Sequence, residues 1–540
     1  QQTGVVNFRR QIDNESQNSN TLIIRGGRPN ETAYFVDGFS QQDPLTGTST
    51  TAISNNAIQE VVLLTGGFAP EYGRIMSGAA NVITREGASK YFGAFEGITD
   101  NLSGNWVKAP RTDYNVYDGS LGGPVLPNVD RLTFYVSGER RWQADRNPTR
   151  LPSQFVSQLS DPRSYGTSLI GEKGLNTRFK PNNSSSGFTY QGKLAWALSD
   201  QVNLKAGTLG SYDEWREYAH PYLFNVDHMP RYKDKNQSYF TTYNQTLSAK
   251  TFFNVGLNYF KTERKRGDGV AFDDISPQYI GTGPHTDTLL RVTTGIRDSI
   301  VTMSGISSHE GAIDPTGGGY YRAINPRFDT DLPMFFKDGH VFNNFLQRSS
   351  AYFGVQGSLS SQLNQHNQVK LGGDFQRHTL RYFVNLDPAG LGGTQANLND
   401  WDAYGYKLVV DYQDVFVRDI KETDTGFDTT YKARRITSGA HIEENAGGDK
   451  DGPKHPKTWS LYGQDKYERE GVIVNGGLRF DHIDVDTDAL RSEQYPIGEP
   501  GVQGDSLQNL LDKGDLVKGR SYARLSPRLG VAFPVDEKTI

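Results

Sequence analysis

The sequence predicts a large antiparallel transmembrane β-barrel over residues 88–540, preceded by a compact α+β unit over residues 1–87. Three observations lead there. From Lys90 onward the chain falls into segments of about ten residues in which apolar and polar side chains alternate, the period-2 signal of strands with one greasy and one wet face. The connections between these segments alternate strictly between tight and long, which is the habit of outer-membrane barrels and has no reason to arise in a soluble sandwich. The 59 glycines, about 11% of the chain against a usual ~7%, and the 28 Tyr and 28 Phe suit a large β-structure.

The first unit is read from Thr21 to Gly87. Short β-branched runs at Leu22–Ile24, Tyr34–Val36, Val61–Leu64 and Asn81–Thr84 are separated by glycine turns at Gly26–Gly27, Asp37–Gly38, Gly66–Gly67, Tyr72–Gly73 and Ser77–Gly78. Before it, Gln1–Asn20 is polar, and only Val5–Phe8 has the composition of a strand. Twelve barrel strands are expected near 90–99, 114–123, 131–140, 188–198, 202–211, 238–249, 252–262, 348–359, 368–380, 458–469, 472–483 and 523–533. In Arg131–Glu139 the residues Leu132, Phe134 and Val136 face one way and Thr133, Tyr135, Ser137 and Glu139 the other. The same split sets Val472, Val474, Leu478 and Phe480 against Asn475, Arg479 and Asp481. Tight links at 123–130, 199–201, 250–251, 360–367 and 470–471 alternate with long ones at 100–113, 141–187, 212–237, 263–347, 381–457 and 484–522.

Composition excludes several classes. With no cysteine there is neither a disulfide framework nor a thiolate metal site. A net charge of −5 without any Lys/Arg-rich run argues against a nucleic-acid partner. A mean hydropathy of −0.62 and the lack of any run of ~18 apolar residues leave no transmembrane helix, although a barrel strand shows lipid only every second residue and escapes that test. No signal peptide opens the chain at Gln1, so the numbering is expected to begin within a mature protein.

The motifs of the first unit occur in the order IRGG (Ile24–Gly27), YFVDG (Tyr34–Gly38), NNAIQEVVLLTGG (Asn55–Gly67), EYG (Glu71–Gly73) and SGAANVIT (Ser77–Thr84). This series resembles the plug domain of TonB-dependent outer-membrane receptors, in the variant of Bacteroidota-type bacteria. The resemblance implies a plug, residues 1–87, inside a barrel of about 22 strands. Twelve strands would leave an open edge, so the chain is expected to lack the plug's N-terminus and the later barrel strands. It further implies energised import of a bulky solute, such as a siderophore, an oligosaccharide or a peptide, across the outer membrane of a Gram-negative bacterium, without enzymatic activity or cofactor. A TonB-type energy-coupling protein is the implied partner, beside the membrane lipid and, as candidate companions, a surface lipoprotein or other outer-membrane subunits. The alternative is a structural or assembly subunit of a larger surface complex, and a third reading is a soluble carbohydrate-binding module.

Candidate site residues are few. Arg25 in IRGG matches an arginine that in the family lies against wall carboxylates and anchors the plug, and Glu139, Asp374 and Asp481 have the parity to receive it. Thr65 stands where the family's second such arginine usually lies. Aromatic residues among polar neighbours in the long loops are ligand candidates, because rigid amphipathic rings stack on solutes at little entropic cost: Trp215, Tyr218, Tyr222 and Tyr232, then Tyr320 and Tyr321, then Trp401 and Tyr404. The competing reading is that these rings pack loop against loop. Asp484, Asp486 and Asp488 copy the opening of a calcium loop, but Ala489 and Tyr495 replace its glycine and its glutamate, so no metal site is expected. The scattered histidines and the absence of a GxSxG elbow supply neither zinc nor hydrolytic chemistry.

Overall fold

The computed structural model describes residues 5–8, 21–100, 113–146, 180–273, 289–302, 342–386, 403–445, 452–491 and 516–533, apart from a few positions within them. The chain begins with β1 (Val5–Phe8), paired to β2 (Thr21–Ile24). A four-stranded sheet follows, built from β3 (Thr32–Val36), β4 (Phe39–Ser40), β5 (Ile58–Leu64) and β6 (Gly78–Thr84) in the order β4-β3-β6-β5. Strands β3 and β6 run parallel, and the helical share of this unit among the described residues is two 3₁₀ turns, at Pro29–Glu31 and Asn55–Ala57.

The Asp37–Gly38 turn explains one motif. Val36 pairs with Phe39 across just these two residues, and both have positive φ, 50° and 85°, the combination that a two-residue type I′ hairpin requires and that Asp-Gly tolerates best.

The wall is one antiparallel sheet. Its strands are β7 (Phe92–Thr99), β8 (Asn115–Pro124), β9 (Leu132–Gln143), β10 (Ser185–Ala197), β11 (Val202–Arg216), β12 (Arg231–Ser248) and β13 (Thr251–Gly267). After a long excursion it continues with β16 (Asn344–Gln362), β17 (Asn367–Leu386), β21 (Lys457–Arg469), β22 (Val472–Asp484) and β25 (Tyr522–Ala532). Each strand pairs with the next in this series, with β7 and β25 at the two ends. All twelve expected strands are present, and the short turns 125–131, 198–201, 249–250, 363–366 and 470–471 all lie at one end.

The long connections at the other end carry structure of their own. Strands β14 (Leu289–Thr294), β15 (Arg297–Thr302), β19 (Tyr406–Thr423) and β20 (Gly426–Glu444) form a separate sheet in the order β15-β14-β19-β20. Strand β18 (Ala403–Tyr404) adds to β17, and β23 (Asp488–Leu490) pairs with β24 (Leu516–Lys518).

Alternation sorts the wall's side chains as expected. Every wall strand exposes large apolar residues on its outer face, Val136, Leu194, Leu257, Phe353, Leu371, Leu461, Leu478 and Leu529 among them. The inner face buries polar ones instead: Asp118, Thr189, Gln191, Lys193, Asn236, Ser238, Ser460 and Arg479. A face that is apolar outward and polar inward is the inverse of a soluble protein, and it is what lipid outside and a hydrated lumen inside demand.

Candidate functional site

The inner face of the wall grips the small sheet at three places, each joining a sequence motif of the plug to charged wall residues. The first is the Asp37 turn. The Asp37 carboxylate accepts hydrogen bonds from Thr84 N (3.0 Å) and Thr84 Oγ1 (2.5 Å), tying the hairpin to the end of β6. Lys193 on β10 adds its ammonium, which donates to Asp37 Oδ1 and to Thr84 O, both at 3.0 Å, and lies 3.6 Å from Glu86. Lys205 on β11 reaches Glu86 at 2.6 Å. With its side chain only 2% exposed, Lys193 has fixed oxygens in place of the water it has lost.

The second is the turn Phe68–Gly73, from the end of TGG through EYG. Arg479 on β22 donates to the carbonyls of Pro70 (3.2 Å) and Glu71 (3.1 Å), while Asp374 (3.0 Å) and Asp481 (2.8 Å) hold its other nitrogens. Arg528 on β25 donates to Ala69 O (2.7 Å) and Tyr72 O (2.6 Å), and Lys370 on β17 pairs with Glu71. Three wall strands thus close on six plug residues. Burial, with Glu71 beside it, raises the Tyr72 hydroxyl above its usual range, which keeps it a neutral donor.

The third is the plug apex. Asp43 accepts from Ser350 Oγ (2.7 Å) and lies 3.4 Å from Arg348 Nε. Neutral contacts continue around the wall. Tyr352 Oη donates to Ser40 O (2.6 Å), Gln41 to Ser238 (3.3 Å), Thr50 to Asn236 (3.0 Å) and Tyr135 Oη to Asn56 O (2.8 Å), while Asn56 and Ser54 both donate to Asp118. Phe39 supplies an apolar contact, its ring 5.5 Å from that of Phe240.

Level with the apex, one register row of the wall is charged. Arg141, Gly187, Asp213, Asp234, Arg264 and Arg348 are cross-strand neighbours in succession from β9 to β16. Arg264 forms a two-pronged pair with Asp234, at 2.7 and 2.5 Å, and Arg141 reaches over Gly187 to Asp213 while also bonding Glu139 at 2.8 Å. A side chain on Gly187 would collide with both partners of the Arg141–Asp213 pair, which accounts for glycine in mid-strand there.

The described contacts do not include the expected Arg25 anchor. Arg25 is exposed, has a φ of 52°, rests its guanidinium on Gly66, and is paired with no carboxylate among the described residues. Glu139, Asp374 and Asp481 do face inward, but they neutralise the wall's own Arg141 and Arg479. In the ion pairs described between plug and wall the polarity is the opposite one: the wall supplies the cations Lys193, Lys205, Lys370 and Arg348, and the plug the carboxylates Asp37, Glu86, Glu71 and Asp43. Guanidinium forks with their five N–H donors, and ammonium groups, suit carbonyl-rich turns.

The aromatic candidates divide in four. Trp215 and Tyr232 lie on β11 and β12 rather than in a loop. Both are buried, their rings stacked 4.9 Å apart, with Arg146 and Arg264 each 5.5 Å from the Trp215 ring. Tyr222 is buried with Val226 and Met229 in a small loop core, and Tyr218 packs beside it. Tyr404 stacks on Tyr382, and burial next to Asp43 pushes its hydroxyl up to about 12. Tyr320, Tyr321 and Trp401 lie outside the described residues. Asp486, from the aspartate triplet, accepts from His455 N at 2.7 Å.

Comparison with known proteins agrees with this geometry. Residues 290–539 match the family model described as TonB dependent receptor-like, beta-barrel. A stretch of 215 residues, 36% of this chain, is 33% identical to the TonB-dependent transporter Oar of Myxococcus xanthus and covers 20% of that protein. The FrpB iron transporter of Neisseria meningitidis, F3-3 variant, superposes with a TM-score of 0.52 at 12% identity, over 96% of this chain and 57% of the other. Its F5-1 variant gives 0.50 at 12% identity, over 96% and 57%. At that identity the likeness concerns the fold, and this chain spans little more than half the length of either solved transporter.

Proposed function

Because this chain belongs to the TonB-dependent receptor family of the Gram-negative outer membrane, we propose that it is an energy-coupled importer in which the plug is a removable stopper. One observation carries the reading. Among the described residues the plug is attached to the wall by hydrogen bonds and ion pairs at three grips. Polar contacts of this kind exchange for water when pulled apart, so a modest mechanical input rearranges the plug without unfolding the barrel. The barrel has no energy source of its own, and a TonB-type partner drawing on the plug from the periplasm supplies it. Cargo enters among the long loops, and siderophore, oligosaccharide and peptide all remain compatible with the rings and polar groups there.

The test is a reversible staple. The native chain has no cysteine, so a pair introduced at Asp43 and Ser350, whose side chains already meet, tethers apex to wall specifically. Uptake of a ferric siderophore, a malto-oligosaccharide and a peptide should be measured in cells with and without the coupling partner. One class should enter only with the partner present, stop on oxidation and resume on reduction. Uptake that is indifferent to both staple and partner rejects the proposal.

A further inference from the structure

Along the described wall strands, the grips leave a stretch of the plug's edge unfilled. Between the Asp37–Ser40 hairpin and the Glu71–Gly73 turn on one side, and β13, β16, β17, β21 and β22 on the other, lies a cavity of about 250 Å³. Its wall side is polar, with Asn254, Gln356, Ser358, Gln376 and Tyr462 facing Ser40, Gln42 and Asn81 of the plug. It runs along the wall from Gln376 to Lys370, six residues apart on β17 and so roughly 20 Å at ~3.3 Å per residue. On the adjoining strands β8 to β12 the plug is bonded directly with side chains buried on both partners, and Phe39 is packed on Phe240.

We propose that solute passes the plug along this seam, between the hairpin and β16–β17–β21, with the Glu71–Lys370 pair as its gate and the β8–β12 side remaining attached. The inference rests on the import reading above and names where the route opens. A seam already lined with polar groups widens by admitting water, whereas parting the β8–β12 side must first break the buried Gln41–Ser238 and Thr50–Asn236 bonds and expose the Phe39–Phe240 contact. The gate follows from position: Glu71, Lys370, Arg479 and Asp374 are at once the clamp on the Phe68–Gly73 turn and part of the cavity lining. Any pull that draws the turn off its cations therefore enlarges this cavity first.

Single cysteines in the full-length receptor test the route. Gln356→Cys and Ser358→Cys report the seam, and Ser211→Cys and Ser238→Cys the attached side. Their reaction rates with a charged methanethiosulfonate are compared in energised cells, in cells treated with a protonophore, and in cells lacking the coupling partner. Rates at 356 and 358 should rise severalfold on energisation while those at 211 and 238 stay low. Glu71→Gln, or Lys370→Gln should the first variant fail to assemble, should raise the resting rates at 356 and 358 alone. A partner-dependent rise at 211 and 238 instead, or at all four positions equally, overturns the seam and leaves import standing. Rates at every position that ignore the partner overturn the import reading itself.

Discussion

The Arg479 guanidinium occupies the space that a β-carbon on Gly73 would need. The glycine of EYG is thus there for a residue 406 positions later in the chain. Gly73→Ala should push the guanidinium off the Pro70 and Glu71 carbonyls and loosen the plug by about 1–3 kcal/mol, the usual cost of overpacking. Limited proteolysis of the plug in the folded receptor reads this directly. Arg479→Met should loosen the same turn, and the double variant should do little more than either alone.

Lys193 and Asp37 should be strongly coupled. Lys193→Met leaves Asp37 buried beside no cation, an effect typically worth ~3–5 kcal/mol, whereas Lys193→Met with Asp37→Asn removes both charges and should recover much of it. Unfolding of the detergent-solubilised receptor in urea measures the cycle. Additive losses would mean that the pair is incidental.

The outer face makes a third test. Leu478 points outward and is 53% exposed, so Leu478→Arg should cost ~2–4 kcal/mol if it lies near the bilayer midplane, while Asn475→Arg on the inner parity should cost far less. Refolding into lipid vesicles at graded urea gives both values. Equal costs would show the faces to be exchanged.

Trp215 and Tyr232 should contribute beyond their buried area. Their parallel stacking predicts a coupling of ~0.5–1.5 kcal/mol in a double cycle with leucine at each position. A coupling near zero would mean that each ring is held by its strand alone.

The strands were legible in the sequence because lipid imposes alternation on one face, and that contrast survives in any single chain. Legibility ends where the membrane does. On β12 and β13 the outward residues above Tyr239 and Tyr259 are Gln237, Lys235 and Lys233, then Lys261, Glu263 and Lys265. The strand continues there while apolar and polar no longer alternate, so Trp215 and Tyr232 read as loop residues. The glycine turns and the VDG hairpin were equally local and equally visible. The grips were not, because Lys193 and Asp37, or Arg479 and Pro70, are joined only by the fold. Arg25 stood out because it matches the arginine of a family motif, but carbonyl acceptors carry no mark in a sequence.

The charged row from Arg141 to Arg348 also works as a keyway for assembly. Sliding β12 by one residue would turn Asp234 outward, and sliding it by two would set Tyr232 or Asn236 against Arg264, leaving a buried guanidinium without its counter-charge. The Arg141–Asp213 pair sets the same condition for β9 and β11, so a misaligned strand in this part of the sheet buries an unpaired charge. The stagger of the strands sets the girth of the lumen, and by holding the register from β9 to β13 the row helps to set the bore into which the plug must fit.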